Sequence, residues 1–219
     1  MKKIISLVLC LALGAFVLSG CSGGDEPFEE KNYTPDAQVS EINIDVEDRE
    51  IEVSLSADGQ VHIQYYENSK EYYDISVSGG TLTMTAASDK AWTDYIGVKP
   101  SAENRKISLQ VPDALLENLT LSTTNEDISL PALAVTGSIS ISSNGGDITF
   151  GRLDVGSALN LTVKNGDISG AGTGSYDDFA IQSDVKKGDS SLPESKDGGS
   201  KTLNVSANNG DVDIELVSE

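Results

Sequence analysis

Residues 117–136 (ENLTLSTTNEDISLPALAVT), 137–156 (GSISISSNGGDITFGRLDVG) and 157–176 (SALNLTVKNGDISGAGTGSY) repeat one pattern at a period of 20. Asp127, Asp147 and Asp167 mark its register. Eight and six residues before each stand Leu119/Leu121, Ile139/Ile141 and Leu159/Leu161. One and three residues after stand Ile128/Leu130, Ile148/Phe150 and Ile168/Gly170, and Leu133/Val135 and Leu153/Val155 follow. Residues two apart face the same side of a strand. Each 20 residues therefore supplies three short strands with corners between them. One such coil cannot bury its own apolar pairs, whereas coils stacked about 4.8 Å apart share one interior. The period predicts a β-solenoid over 113–219, a prism-like parallel β-helix with Ile128, Ile148 and Ile168 on one interior ladder.

The last register is Asp211, with Leu203/Val205 before it and Val212/Ile214 after it. It lies 44 residues beyond Asp167, and Asp189-Ser190-Ser191-Leu192-Pro193 echoes Asp127-Ile128-Ser129-Leu130-Pro131. Phe179 and Ile181 stand where the preceding strand is needed. The gap thus reads as two coils of 22, the first degenerate, with a polar loop over 193–201.

Upstream, 38–112 shows period-two alternation without a fixed repeat: Ile42/Ile44/Val46, Ile51/Val53/Leu55, Val61/Ile63/Tyr65 and Ile107/Leu109/Val111. Turns such as Ala57-Asp58-Gly59 and Ser78-Gly79-Gly80 separate these runs. No stretch carries a helical period, so the domain is all-β. This region reads as irregular strands or hairpins continuous with the repeat, either as further coils or as an antiparallel unit.

The chain begins with Met1, Lys2 and Lys3, then an apolar run from Ile4 to Leu18. That run is too short to span a bilayer, which needs about 20 residues. It has the form of a cleaved export signal over 1–20. Leu18-Ser19-Gly20-Cys21 resembles the lipobox of bacterial lipoproteins, which implies a lipidated Cys21 as the mature N-terminus. Residues 21–37 are Gly, Pro and acid rich and read as a flexible tether. The expected location is the extracytoplasmic face of a cell membrane, held by lipid.

Formal net charge is −20, with 35 acids against 15 bases, so nucleic acid and anionic headgroups repel this chain. Of the 2 cysteines, Cys10 lies in the signal and Cys21 takes the lipid, which leaves no disulfide, thiolate metal site or cysteine nucleophile. The 1 histidine, His62, falls on the outward side of its strand, and a Ser/His/Asp triad would depend on it alone. No cofactor is expected.

The strand-then-Asn-Gly-Asp-Ile repeat, entered through Ile107-Ser108-Leu109-Gln110-Val111-Pro112, resembles the bacterial domain-of-unknown-function family 4097. The motifs that carry the resemblance are Asn125-Glu126-Asp127-Ile128, Asn165-Gly166-Asp167-Ile168 and Asn209-Gly210-Asp211-Val212. Gly145-Gly146-Asp147-Ile148 lacks the asparagine, and Lys187-Gly188-Asp189-Ser190 departs further. The resemblance covers about residue 40 to the end. It implies β-strand repeats and an adhesin label, with no catalytic residues to carry over.

Three features remain as candidate sites. At the corners, Asn and Gly tolerate left-handed backbone, and an Asp oxygen accepts amides of the turn it sits in. Asp127, Asp147, Asp167, Asp189 and Asp211 are then structural, with a calcium site, as in β-rolls, the alternative. The denser Gly-Gly-x-Gly-x-Asp pattern of such rolls is absent. Tyr65, Tyr66, Tyr72, Tyr73, Trp92 and Tyr95 cluster in one stretch, either pairing across a hairpin or forming a recognition surface. The carboxylates also leave a polysaccharide-cleaving β-helix open, which would need two of them about 5–10 Å apart in a groove. The reading favoured is a non-catalytic binding, adhesion or structural module of the envelope, its partner an envelope protein or glycan.

Overall fold

Residues 26–88 and 101–218 are described in a computed structural model. These residues form two mixed sheets of nine strands each around one continuous apolar core. The repeat supplies β8 (Asn118–Thr123), β9 (Ile128–Leu130), β10 (Leu133–Val135), β11 (Ser138–Ser143), β12 (Ile148–Val155), β13 (Ala158–Asn165) and β14 (Ile168–Thr173). Strands β8, β11 and β13 pair in parallel in one sheet, Leu119 beside Ile139 beside Leu159. In the other sheet Ile128, Ile148 and Ile168 are direct partners, each fully buried. Each of these partners is 20 residues away, so the sequence period is the hydrogen-bond register itself.

The three apolar pairs per repeat do not make three faces. Strand β12 pairs with both β9 and β10, so the third pair continues the same sheet. The register slips between Thr149 and Arg152 on pairing with β14. Gly170 explains the gap in the Leu130, Phe150 row: a Cβ there would lie 2.2 Å from the Phe150 ring, which fills that space instead.

The region before Pro112 is neither wholly irregular nor wholly regular. Strands β2 (Glu41–Asp45) and β3 (Glu50–Leu55) form a complete level of the stack, with Ile42 beside Leu119 and Ile51 beside Ile128. Strands β6 (Thr81–Ser88) and β7 (Lys106–Val111) form the next level outward. Antiparallel strands finish this end: β4 (His62–Glu67) on β7, and β5 (Glu71–Ser78) on β6. Strand β1 (Glu29–Tyr33) lies in the segment expected to be a flexible tether, and it pairs antiparallel with β4. An edge strand is recruited through its backbone whatever its polarity, and here Tyr33 also packs on the core.

At the other end the order differs from the linear expectation. Strand β15 (Phe179–Val185) is a strand with a 22-residue register, as read, and β16 (Ser195–Lys196) closes on it. However, β17 (Lys201–Asn209) and β18 (Val212–Val217) insert between the 157–176 level and β15. The levels therefore run Asp167, Asp211, Asp189. The intact Asn209-Gly210-Asp211-Val212 corner matches Asn165-Gly166-Asp167-Ile168 and takes the inner position. The degenerate level has Ser183 opposite Val205 and Ser190 opposite Val212, and it occupies the end, where a parallel level lies on one side and only the short antiparallel β16 on the other.

Ile148 lies between Ile128 and Ile168 with no exposure. Ile148→Asp buries a charge with no partner on either side, and several kcal/mol is the expected cost. Circular dichroism and denaturant titration should show loss of cooperative folding; a native-like transition would refute the ladder.

Candidate functional site

The corner aspartates form a single column on one edge of the stack. The Asp147 N–H donates to Asp127 Oδ1, the Asp167 N–H to Asp147 Oδ1, the Asp211 N–H to Asp167 Oδ1, and the Asp189 N–H to Asp211 Oδ1, each at 2.8 Å. The amide each carboxylate accepts belongs to the next level, rather than to its own turn as the sequence suggested. All five side chains are exposed. Carboxylates about 5 Å apart repel by roughly 1 kcal/mol in water, which a charge-assisted bond of about 1.5–3 kcal/mol offsets.

Glycine precedes four of the five aspartates, and stacking is the reason. A Cβ on Gly166 would lie 2.3 Å from the Gly146 carbonyl oxygen, and one on Gly210 would lie 1.9 Å from that of Gly166. Both glycines also hold positive φ, 155° and 146°. Glu126 and Asp127 begin the column, where the neighbouring level is 41–55. There Glu50 stands next in register, followed by Lys106, whose Nζ is 3.7 Å from Glu50 and 2.6 Å from Glu52. The asparagines form a shorter row: Asn125 Nδ2 donates to Asp48 Oδ1 at 2.5 Å, and Asn209 Nδ2 to Asn165 Oδ1 at 2.6 Å.

The tyrosines divide by strand face. Tyr65 and Tyr73 pack edge to face at 5.3 Å and lie half-buried against the core at its first end. Tyr66 points away and donates to Glu30 Oε2 at 3.2 Å. Tyr72 lines shallow hollows beside this end with Glu71 and Asn68. Trp92, Tyr95 and Cys21 lie outside the described residues.

Two groupings escaped the sequence reading. Arg49 is buried, its Nε 2.5 Å from the Tyr73 hydroxyl and its Nη2 2.7 Å from Glu71 Oε2, with the Asp48 carbonyl as a further acceptor. This pair clasps β5 to the 46–50 corner. Its only signal was position, because Arg49 stands where the repeat has Glu126. His62, read as an outward strand residue, is part-buried between two partners: Thr34 Oγ1 at 2.8 Å from Nδ1 and the Asp58 carboxylate at 3.0 Å from Nε2. The array ties the end of β1 to the 56–61 turn. The Gln60 N–H, then His62, hold the Asp58 carboxyl below its usual range.

Among the described residues no cluster of three or more His, Cys, Asp or Glu side chains is placed to hold a metal. The outward faces of β8, β11, β13 and β17 present Thr120, Ser140, Asn160 and Asn204 in one row, uncharged side chains in a strongly acidic chain. Asn204 Nδ2 donates to Asn160 Oδ1 at 2.8 Å, and Asn160 Nδ2 to Ser140 Oγ at 3.0 Å.

Parallel levels in register, an aspartate-amide column and an aliphatic interior place the described residues in an all-β fold of two mixed sheets. The chain belongs to the Toastrack DUF4097 family, whose model matches residues 39–218. Among solved structures it is similar to a putative cell adhesion protein from Clostridium sporogenes, at 11% identity and a TM-score of 0.55 over 86% of this chain and 100% of that one. A putative adhesin from Bacteroides fragilis aligns at 14% identity and a TM-score of 0.36, over 88% of this chain and 98% of that one. The first supports the fold. No curated protein matches the chain.

Two expectations follow. Asp147→Asn keeps an oxygen for the Asp167 N–H and removes one charge, so its unfolding midpoint should barely move, while Asp147→Ala should cost about 1 kcal/mol. Equal losses in both would show that charge, not the accepted bond, matters. Burial first, then Glu67, pushes the Tyr65 phenol from 10.0 up to about 12. An unfolded tyrosine ionises at about 10. Between these values the unfolded chain releases its proton first, so stability should be level below pH 10 and fall up to about 12. Tyr65→Phe should flatten that fall in denaturant titrations; an unchanged slope would refute it.

Proposed function

We propose that this protein is a non-catalytic lipoprotein of the cell envelope, a β-solenoid module held to the membrane by lipid on Cys21 and displayed for binding or structural support. The observation that carries this reading is the polarity of the stack. Strand β1 is the edge strand at one end of its sheet, and β15 with β16 lies at the opposite end of the other. An anchor at Cys21 is separated from β1 by residues 22–28, which reach at most about 25 Å at ~3.5 Å per residue. The β1 end is then membrane-proximal, and the 186–200 segment and the last level are distal.

The composition of the surface supports display. The interior is closed by aliphatic side chains at each level, and the uncharged Ser, Thr and Asn row on one face suits contact with an envelope glycan or protein. The similar fold of the putative cell adhesion protein from Clostridium sporogenes agrees with such a role.

The reading is tested in the native host with radiolabelled fatty acid and membrane fractionation. Wild type should carry label and sediment with membranes, and Cys21→Ser should lose both. A cysteine introduced at the exposed Asp197 should react with an impermeant thiol reagent added to intact cells, or to cells whose outer membrane has been opened. Unlabelled, soluble wild type would overturn the anchor.

A further inference from the structure

Three Asn-Gly pairs lie in the corners: Asn144-Gly145, Asn165-Gly166 and Asn209-Gly210. In such a pair glycine has no side chain to hinder its nitrogen from approaching the asparagine amide. The glycine nitrogen loses its proton and bonds to Cγ, the Cγ–Nδ2 bond breaks, and ammonia leaves with that proton. Water then opens the cyclic imide at one carbonyl or the other, leaving aspartate or isoaspartate. Water is the only co-reactant.

The reaction needs a glycine N–H free of an acceptor and an asparagine amide free to turn. The structure separates the three pairs on both counts. The Gly166 N–H donates to the Asn209 carbonyl at 3.0 Å, and the Asn165 amide both donates to the Asn144 carbonyl at 3.2 Å and accepts from Asn209 Nδ2 at 2.6 Å. The Gly210 N–H donates to the Lys187 carbonyl at 2.9 Å, and the Asn209 amide is held by Asn165. Asn144 is exposed, and among the described residues neither its side-chain amide nor the Gly145 N–H makes a hydrogen bond. Only its backbone carbonyl is engaged, by the Asn165 N–H at 3.0 Å and the Asn165 amide.

The cause is a one-residue displacement. Asn125 and Asn165 stand two residues before their aspartates, whereas this level has Gly145 there and its asparagine one position earlier. The asparagine row therefore skips a level, and Asn144 has no counterpart above or below.

We infer that Asn144 is a spontaneous deamidation site of the folded protein, while Asn165 and Asn209 are protected by the levels stacked on them. Aspartate at 144 adds charge beside the Asp127, Asp147 and Asp167 column. Isoaspartate adds a backbone atom to the corner whose carbonyl holds Asn165, so the first conversion loosens the protection of the second.

The test ages the native full chain at mildly alkaline pH, with a parallel sample in urea, and follows each pair by peptide mass mapping that resolves aspartyl from isoaspartyl products. In the native sample Asn144 should convert at least about tenfold faster than Asn165 and Asn209, while in urea the three rates should converge, as expected when protection comes from native structure. Gly145→Ala should slow conversion at Asn144 severalfold; its Cβ would lie 3.1 Å from the movable Asn125 Oδ1. Native conversion at Asn165 or Asn209 as fast as at Asn144, or no urea effect on their rates, would overturn the inference.

Discussion

In-register parallel pairing is the constraint on which everything else in this protein depends. Once Ile128, Ile148 and Ile168 are hydrogen-bonded neighbours, every other residue of the repeat is placed over its equivalent about 4.8 Å away. Like then meets like. For aliphatic side chains this is favourable, since each covers the next and burial of a side chain this size contributes roughly 1.5–3 kcal/mol. For aspartates it is unfavourable unless a donor is interposed, and the backbone N–H of each following aspartate is that donor. For the residue before Asp147, Asp167, Asp189 and Asp211 there is no room for a side chain, and glycine results.

A stack that grows by register has two ends where register has nothing to act on, and the irregular parts of the chain are found there. At the first end the buried Arg49–Glu71 pair with Tyr73, and the Tyr65–Tyr73 contact, hold antiparallel strands across the open core. Removing one partner of such a buried pair leaves an uncompensated charge, which is costly by about 3–5 kcal/mol. At the far end Phe179 is fully buried, and Lys196 donates to its carbonyl at 2.9 Å while lying 4.9 Å from the Tyr176 ring. Both ends use the same topological device: the chain visits the outermost level first and returns to fill the one inside it, or leaves the inner level and comes back to it. Contacts distant in sequence, such as Ile42 with Leu119, thereby lock the ends.

Much of the core was readable from periodicity because each apolar row repeats at a spacing that the backbone ladder imposes. The template also fits Glu50, with Ile42 and Ile44 before it and Ile51 and Val53 after it. The 41–55 level was therefore legible, yet it stands alone in the sequence, and a single match carries no period. The tether was misread over 29–33 because an edge strand needs little apolar character. The clasp of Arg49 and the array of Thr34, His62 and Asp58 left no mark, since each joins residues from segments that meet only after folding.

The amino-acid sequence by itself determined the all-β class, the apolar ladders, the glycine and aspartate corners and the acidic surface, because these follow from local alternation and a short repeat. Tertiary structure alone decided the number of sheets, the order of the last three levels and the source of the amide that each aspartate accepts. Those depend on which level lies against which, and a period states the spacing between equivalent residues without stating which copies become neighbours. The Asp211 level is 44 residues from Asp167 and still its direct partner, because an intact corner fits between two parallel levels, whereas the degenerate one lies at the end with a parallel level on one side only.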